Sequence, residues 1–273
     1  MIGDPLQFRH QSAQPIGARG NRDAERRLHS ACECDRISHR AVTRHPRGEL
    51  RPADIDERAL SAVLYTAGLT GRGLETVRRF QALGVPVEEV ADHVMQAASD
   101  TRTPQGILAV LSMQAAPPQE PLDLVFIPDA VRDPGNLGAM LRTAAAAGAG
   151  AVYLPPGTAD TFSPKVVRAG MGAHFRLPVY SLTWDEIGAN VRDAGLRVYL
   201  AAAGAGEPYT EADFRLPLAL VIGGEAEGAG PQAQALADSR VHIPMPGEME
   251  SLNAAAAAAV LLFEVVRQRQ AKR

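Results

Sequence analysis

Three short stretches carry side chains that could act together on a ligand. Asn136 and Arg142 stand in DPGNLGAMLR (133–142), Glu225 and Glu227 in the glycine-rich run IGGEAEG (222–228), and Ser251 and Asn253 at the end of IPMPGEMESLN (243–253). Amides, a guanidinium, carboxylates and a hydroxyl can hold a polar ligand by hydrogen bonds and charge. The glycine-rich run lacks the Lys-Ser/Thr of a phosphate loop, and its glycines miss the G-x-G-x-x-G spacing of a dinucleotide fold. Its two carboxylates would repel a pyrophosphate. A ligand carrying positive charge suits them better, which speaks against nucleoside triphosphates and nicotinamide cofactors.

The elements that must position these residues follow a βα rhythm, the mark of a parallel sheet covered by helices. Strands are predicted at 122–128, 151–156, 175–182, 196–203, 216–224 and 241–245. Helices are predicted from the 133–136 turn to Ala147, over 164–172, 184–194 and 231–237, and along the alanine-rich terminal segment, with Ser251 as its N-cap. Each chemical stretch then falls at a strand-to-helix turn, where open α/β sheets bind ligands.

The rest of the chain divides by composition. Residues 1–50 are rich in Arg, His, Gln and Gly without clear periodicity, and they read as a basic, poorly ordered arm with one helix near Asp23–Cys34. Residues 1–51 hold ten Arg against six Asp/Glu, about +4, so the remaining chain is about −7 of the total −3. A basic arm on an acidic body is compatible with RNA phosphates, and equally with a solvated tail. Residues 51–114 read as a small α/β unit, with strands at 59–66 and 107–113 and helices at 71–83 and 92–98. The proline-rich 115–121 reads as a linker to a second domain, 122–273. Cys32 and Cys34 are the only cysteines, which excludes a disulfide framework and points to a reducing cytoplasm. Their spacing with His29 and His39 fits no zinc pattern, so no metal is expected. No apolar run is long enough to span a membrane.

The three stretches in register, N-x-G-x-x-x-R, then I-G-G-E-x-x-G, then I-P-M-x-G-x-x-x-S-L-N leading to L-L-x-E, resemble the three motifs of the SpoU/TrmH family of SPOUT RNA methyltransferases. FSPKVVRAGMGAHFRLPV (162–179) is similar to the stretch between that family's first two motifs, and the likeness covers roughly 121–273. The unit ending TPQGILAVL resembles the small substrate-binding domain of the ribosomal-RNA branch. The resemblance implies an α/β methyltransferase domain whose C-terminal segment is tied in a trefoil knot, a topology that connection rules alone would not suggest. It also implies S-adenosylmethionine as cofactor, a homodimer, and methylation of an RNA ribose 2′-hydroxyl, in ribosomal RNA ahead of transfer RNA.

Carried over residue by residue, the resemblance places the adenosine among Ile222, Gly223, Gly224, Ile243, Met245 and Leu252. Arg142, Asn136, Glu225, Ser251 and Asn253 become the catalytic set. Arg142 is the residue assigned to activating the 2′-hydroxyl. A guanidinium stays protonated, so stabilising the developing alkoxide or pairing with phosphate are open alternatives. Asn136 could equally cap its helix, and Ser251 could contact phosphate or Arg142. Two departures stand out. Ala254-Ala255-Ala256 replaces the usual Val-Ser-Val, and residues 1–50 lack the strand ending in Glu-Gly that usually opens the small domain. A non-catalytic RNA-binding protein on the same scaffold is the rival reading, which intact Arg142 and its companions weigh against.

Overall fold

Every residue of Leu124–Asp129 is buried, as is Leu218–Ile222, and unbroken burial of this kind marks strands covered on both faces. The computed structural model describes residues 39–43, 60–99, 101, 103–112, 121–225, 228–247 and 249–271. In chain order the strands are β1 His39–Thr43, β2 Leu60–Tyr65, β3 Val87–Glu89, β4 Ile107–Ser112, β5 Leu124–Asp129, β6 Ala151–Leu154, β7 Val179–Ser181, β8 Arg197–Ala201, β9 Glu207–Pro208, β10 Leu218–Gly223 and β11 Ser239–His242. The helices are α1 Arg72–Ala82, α2 Asp92–Ser99, α3 Pro134–Ala146, α4 Pro164–Gly170, α5 Trp184–Asp193, α6 Pro231–Leu236 and α7 Ala254–Gln270.

The larger sheet runs β7-β6-β5-β10-β8-β11-β9, with every pairing parallel. Alternation along β5 sorts its two faces. Leu124 and Phe126 join Leu137 and Leu141 of α3, Val166 of α4 and Leu261 of α7. Val125 and Ile127 join Ile187 and Val191 of α5 and Ala233 of α6. The result is a three-layer α/β domain with a parallel sheet. Strand order reverses between β5 and β10, where Asp129 lies opposite Gly223.

The small sheet runs β1-β4-β2-β3, and α1 buries Val77 and Phe80 against its core. β1 pairs antiparallel with β4 although its sequence lies in the stretch read as an arm without periodicity. It is a five-residue edge strand, too short for alternation to announce it, and its partner is far along the chain. The expected helix at 23–34 and residues 115–120 of the expected linker lie outside the described residues.

Other departures have local causes. Of the predicted strand 175–182, only Val179–Ser181 pairs, because Ala173–Phe175 forms a 3-10 turn and Pro178 has no N–H to donate. β11 ends at His242, two residues before Pro244. The segment after β11 then crosses back. β11 lies beyond β8, yet α7 packs on α3, the helix that follows β5. Ile243, Met245 and residues 250–253 therefore lie over the carboxyl ends of β8 and β10, sharing a cavity with Ala201 and Ile222.

Candidate active site

The reversal between β5 and β10 is built from a carboxylate and close-packed glycines. Asp129, at the end of buried β5, is only 3% exposed, and its Oδ2 accepts the Gly230 N–H at 2.6 Å. Burial raises this carboxyl above the usual range, and the Gly230 hydrogen bond opposes that rise. The bond anchors the far end of the 223–230 loop to β5. A Cβ on Gly223 would come within 2.2 Å of the Gly228 carbonyl carbon, and one on Gly224 within 2.5 Å of the Ala130 oxygen. Sequence reasoning expected these glycines to admit a ligand. Their first duty is to let the loop lie against itself and against the β5 turn.

Helix α3 begins at the end of β5. Asp133 is its N-cap, accepting the Asn136 N–H at 2.8 Å, with Pro134 in the first turn. Asn136 is therefore not the cap, and its side chain is left for other partners. At α7 the cap is Asn253 rather than Ser251. Asn253 Oδ1 accepts the N–H groups of Ala255 and Ala256, at 2.9 and 3.2 Å.

These two local facts create a relay across all three stretches. With its oxygen committed to the helix end, Asn253 turns Nδ2 outward and donates to Asn136 Oδ1 at 3.1 Å. Asn136 Nδ2 then donates to Glu225 Oε1. The free N–H groups at the start of α7 thus set the direction of both amides, and Glu225 ends the chain as an acceptor carboxylate.

Beside the relay lies a cavity of about 460 Å³, within the range of small-molecule sites. Ala201–Gly204 after β8, Ile222–Glu225 after β10 and the crossing segment Val241–Ala254 supply most of its wall. Ile222, Gly223, Gly224, Ile243, Met245 and Leu252, the six residues expected to hold the adenosine, all line it. So do Glu225, Ser251 and Asn253. Asn136 adjoins it through Glu225. Arg142 does not line it. Six residues along α3 from Asn136, it points about 120° away around the helix, is exposed, and has no hydrogen-bond or ion-pair partner among the described residues.

Sequence reasoning missed Asp129, Asp133, the Ala201–Gly204 wall, His242 and Glu250. Asp129 had a signal, an acid closing an otherwise apolar strand. The wall after β8 had none. Glu264, the acid of L-L-x-E, is buried away from the cavity, and its hydrogen bonds to Arg267 hold its carboxyl below the usual range. It also accepts from Gln268, which binds the Ala212 carbonyl and the Phe214 N–H, so this acid fastens α7 to the loop before β10. Among the described residues no three His, Cys, Asp or Glu side chains converge on a metal site, and no helix is long and apolar enough to cross a membrane. Cys32 and Cys34 lie outside the described residues.

Both the sequence and the fold have relatives among known proteins. The SpoU rRNA Methylase family model covers residues 123–263. The chain is 38% identical over 185 residues to the 23S rRNA (guanosine(2553)-2′-O)-methyltransferase RlmP of Bacillus subtilis, covering 67% of this chain and 73% of that protein. It is 44% identical over 149 residues to the 23S rRNA (guanosine-2′-O-)-methyltransferase RlmB of Xanthomonas axonopodis pv. citri, covering 54% of this chain and 59% of that relative. Against human mitochondrial rRNA methyltransferase 3 the chain also spans less than two thirds of the relative, 58%. The crystal structure of the SpoU methyltransferase AviRb from Streptomyces viridochromogenes superposes with a TM-score of 0.74 at 28% identity, over 86% of this chain and 91% of that one. An AdoMet-bound rRNA methyltransferase from Sinorhizobium meliloti gives 0.70 at 29% identity, over 84% and 87%. On a family model spanning more than half its length, the chain belongs to the SpoU rRNA methylase family.

Proposed function

We propose that this protein transfers a methyl group from S-adenosylmethionine to a ribose 2′-hydroxyl of ribosomal RNA. The observation that carries the reading is the Asn253–Asn136–Glu225 relay at the mouth of a cavity lined by the six expected adenosine-binding residues. The cavity suits that cofactor. Its wall mixes apolar side chains such as Ile222, Ile243 and Leu252 with polar groups, glycines open its edge, and Glu225 and Glu250 stand where a cationic sulfonium would be tolerated. When bound, the cofactor supplies an electrophilic methyl. The 2′-oxygen forms the new bond to carbon as the carbon–sulfur bond breaks, and the hydroxyl proton must leave. Glu225, oriented by Asn136, is the carboxylate this reading assigns to that task. Arg142 brings a guanidinium that stabilises developing negative charge or pairs with an adjacent phosphate.

Three further parts of the reading rest on the architecture. The trefoil knot of this reading is supported by the return of the chain from β11, beyond β8, to α7 docked on α3. Helix α7 leaves an apolar face outward, with Phe263 48% exposed and Val260 and Val266 half-buried one turn to either side. A second copy covering that face is the homodimer of this reading. The small sheet β1-β4-β2-β3, which takes in His39–Thr43 as well as strands of the expected 51–114 unit, is the substrate-binding domain of this reading.

The test is methyl transfer from radiolabelled S-adenosylmethionine into unmodified ribosomal and transfer RNA, with Arg142→Ala alongside. Sites are mapped by resistance to alkaline cleavage, because a 2′-O-methyl removes the attacking hydroxyl. The expected result is one alkali-resistant site in ribosomal RNA, lost in the variant. Label on a base, with alkaline cleavage intact, would sink the 2′-O assignment. Cofactor binding without transfer into either RNA would favour the RNA-binding rival.

A further inference from the structure

On a body that is about −7 beyond residue 51, residues 130–180 run the other way. They hold Arg132, Arg142, Lys165, Arg168 and Arg176 against Asp133 and Asp160, five minus two, or +3. All five cations are exposed. Two cations on a short helix are ordinarily just a solvated face. Position distinguishes Lys165 and Arg168, which lie one turn apart on α4.

At one end α4 adjoins the relay. Lys165 Nζ lies 3.8 Å from Asp133 Oδ2, and Asp133 is the cap that holds the Asn136 N–H. Both partners of that ion pair are about half exposed or more, so it adds little stability and leaves the ammonium available. Along its length α4 is pressed onto α3. A Cβ on Gly138 would lie 2.4 Å from the Ala169 Cβ and 2.7 Å from the Val166 oxygen, so the outward side of α4 is carried at a fixed height above the relay. At the other end α4 reaches the small sheet. It touches β1, and Phe175, just beyond it, packs against the small-sheet core. The chain thus places a cationic helix between the small sheet and the Asn136–Glu225 pair.

We propose that the outward face of α4, Lys165 and Arg168 flanked by Arg132 and Arg176, is the track for the RNA phosphates that lead from the small domain to the reacting ribose. This rests on the reading of RNA as substrate and extends it to a surface outside the three motifs. Phosphate contacts fix register and orientation without reading sequence, which is what a site that must present one ribose requires. Each neutralised phosphate also leaves a mark in the salt dependence of binding.

The test measures binding of deproteinised 23S ribosomal RNA across a salt series, for the full chain and for a Lys165→Ala/Arg168→Ala double variant. Neither residue lines the cavity, so calorimetry with S-adenosylmethionine should give an unchanged Kd and shows that the variant is folded. The variant should bind RNA about tenfold or more weakly, and its slope of log affinity against log salt should be shallower by about 1.5. An Arg192→Ala/Arg215→Ala variant, which loses the same charge elsewhere, should keep the wild-type slope. Equal effects of the two variants would overturn the track, since only net charge would then matter. An unchanged slope in the α4 variant, with the wild type binding RNA, would overturn it as well. If the wild type binds cofactor but no RNA at any salt, the RNA reading itself fails.

Discussion

Asn253 Nδ2 donates to Asn136 Oδ1 at 3.1 Å, tying the N-cap of α7 to the first turn of α3 across 117 residues. The same Asn253 oxygen caps α7, so one side chain serves stability and site geometry through different atoms. Substitution can separate the two. Asn253→Asp keeps a good cap but replaces the donor to Asn136 with a second carboxylate near Glu225. It should unfold within about 0.5 kcal/mol of wild type in urea and lose methyl transfer 100-fold or more. Asn253→Ala loses both functions and should also cost about 1 kcal/mol of stability. An Asp variant with wild-type activity would show that the relay does not orient Glu225.

Gly223 faces the backbone of Gly228 and Ala229, 2.2 to 2.3 Å from where its Cβ would be. Backbone cannot swing aside as a flexible side chain does. Gly223→Ala should therefore displace the 225–230 loop, costing about 2–3 kcal/mol of stability. Cofactor affinity measured by calorimetry should fall with it, because the same loop edges the cavity. Gly148→Ala is the comparison. That glycine, at the end of α3, has φ +77 and open space around it, so any cost there is backbone strain alone and cofactor affinity should not change.

Much of this was legible from local chemistry. Buried strands such as 124–129 and 218–223 announced themselves as apolar runs, and the three stretches fell at the turns that follow strands. What escaped was decided at a distance. Ser251 and Asn253 are both good cap residues two positions apart, and nothing nearby chooses between them. In the fold it is Asn253 that caps α7, and its Nδ2 reaches Asn136, a partner 117 residues away that no local pattern announces. β1 was missed because only its pairing with β4 makes it a strand. Asp129 fell just past the predicted strand 122–128 and was not singled out, although its carboxylate anchors the Gly230 end of the second motif. Arg142, prominent in the sequence, lies outside the cavity wall of its own chain.

His174 gives the fold a dependence on pH. Its Nε2 sits 2.8 Å from the Thr161 carbonyl oxygen, and its Nδ1 is buried without a partner among the described residues. Burial pushes the imidazole below its ordinary value, with the Thr161 hydrogen bond opposing the shift. The unfolded chain therefore takes up the proton first as pH falls. This contribution to stability is complete above about pH 6.5 and declines below it, by at most about 1.4 kcal/mol per pH unit. Urea unfolding at stepped pH should show that decline beginning before the carboxylates titrate. His174→Gln should flatten the curve between about pH 5 and 7. The same slope in both proteins would assign the dependence to another group.

Arg142 and Phe263 bear on the second copy together. Arg142 is exposed and turned from its own cavity, while Phe263 leaves the apolar face of α7 48% exposed. In a homodimer closed on that face, a partner copy can bring its arginine to the neighbouring cavity. Phe263→Glu should shift the protein to monomer in sedimentation velocity and lose methyl transfer, with secondary structure retained. Mixing is the sharper experiment. Arg142→Ala and Glu225→Ala should each be inactive alone, for opposite halves of the site. Subunits exchanged at equal amounts form half heterodimers, each with one intact site if the arginine acts across the interface. The mixture should then recover about a quarter of wild-type activity. If Arg142 serves its own chain, every site in the mixed dimer carries a single lesion. A heterodimer of those two variants then has no intact site, and mixing restores nothing.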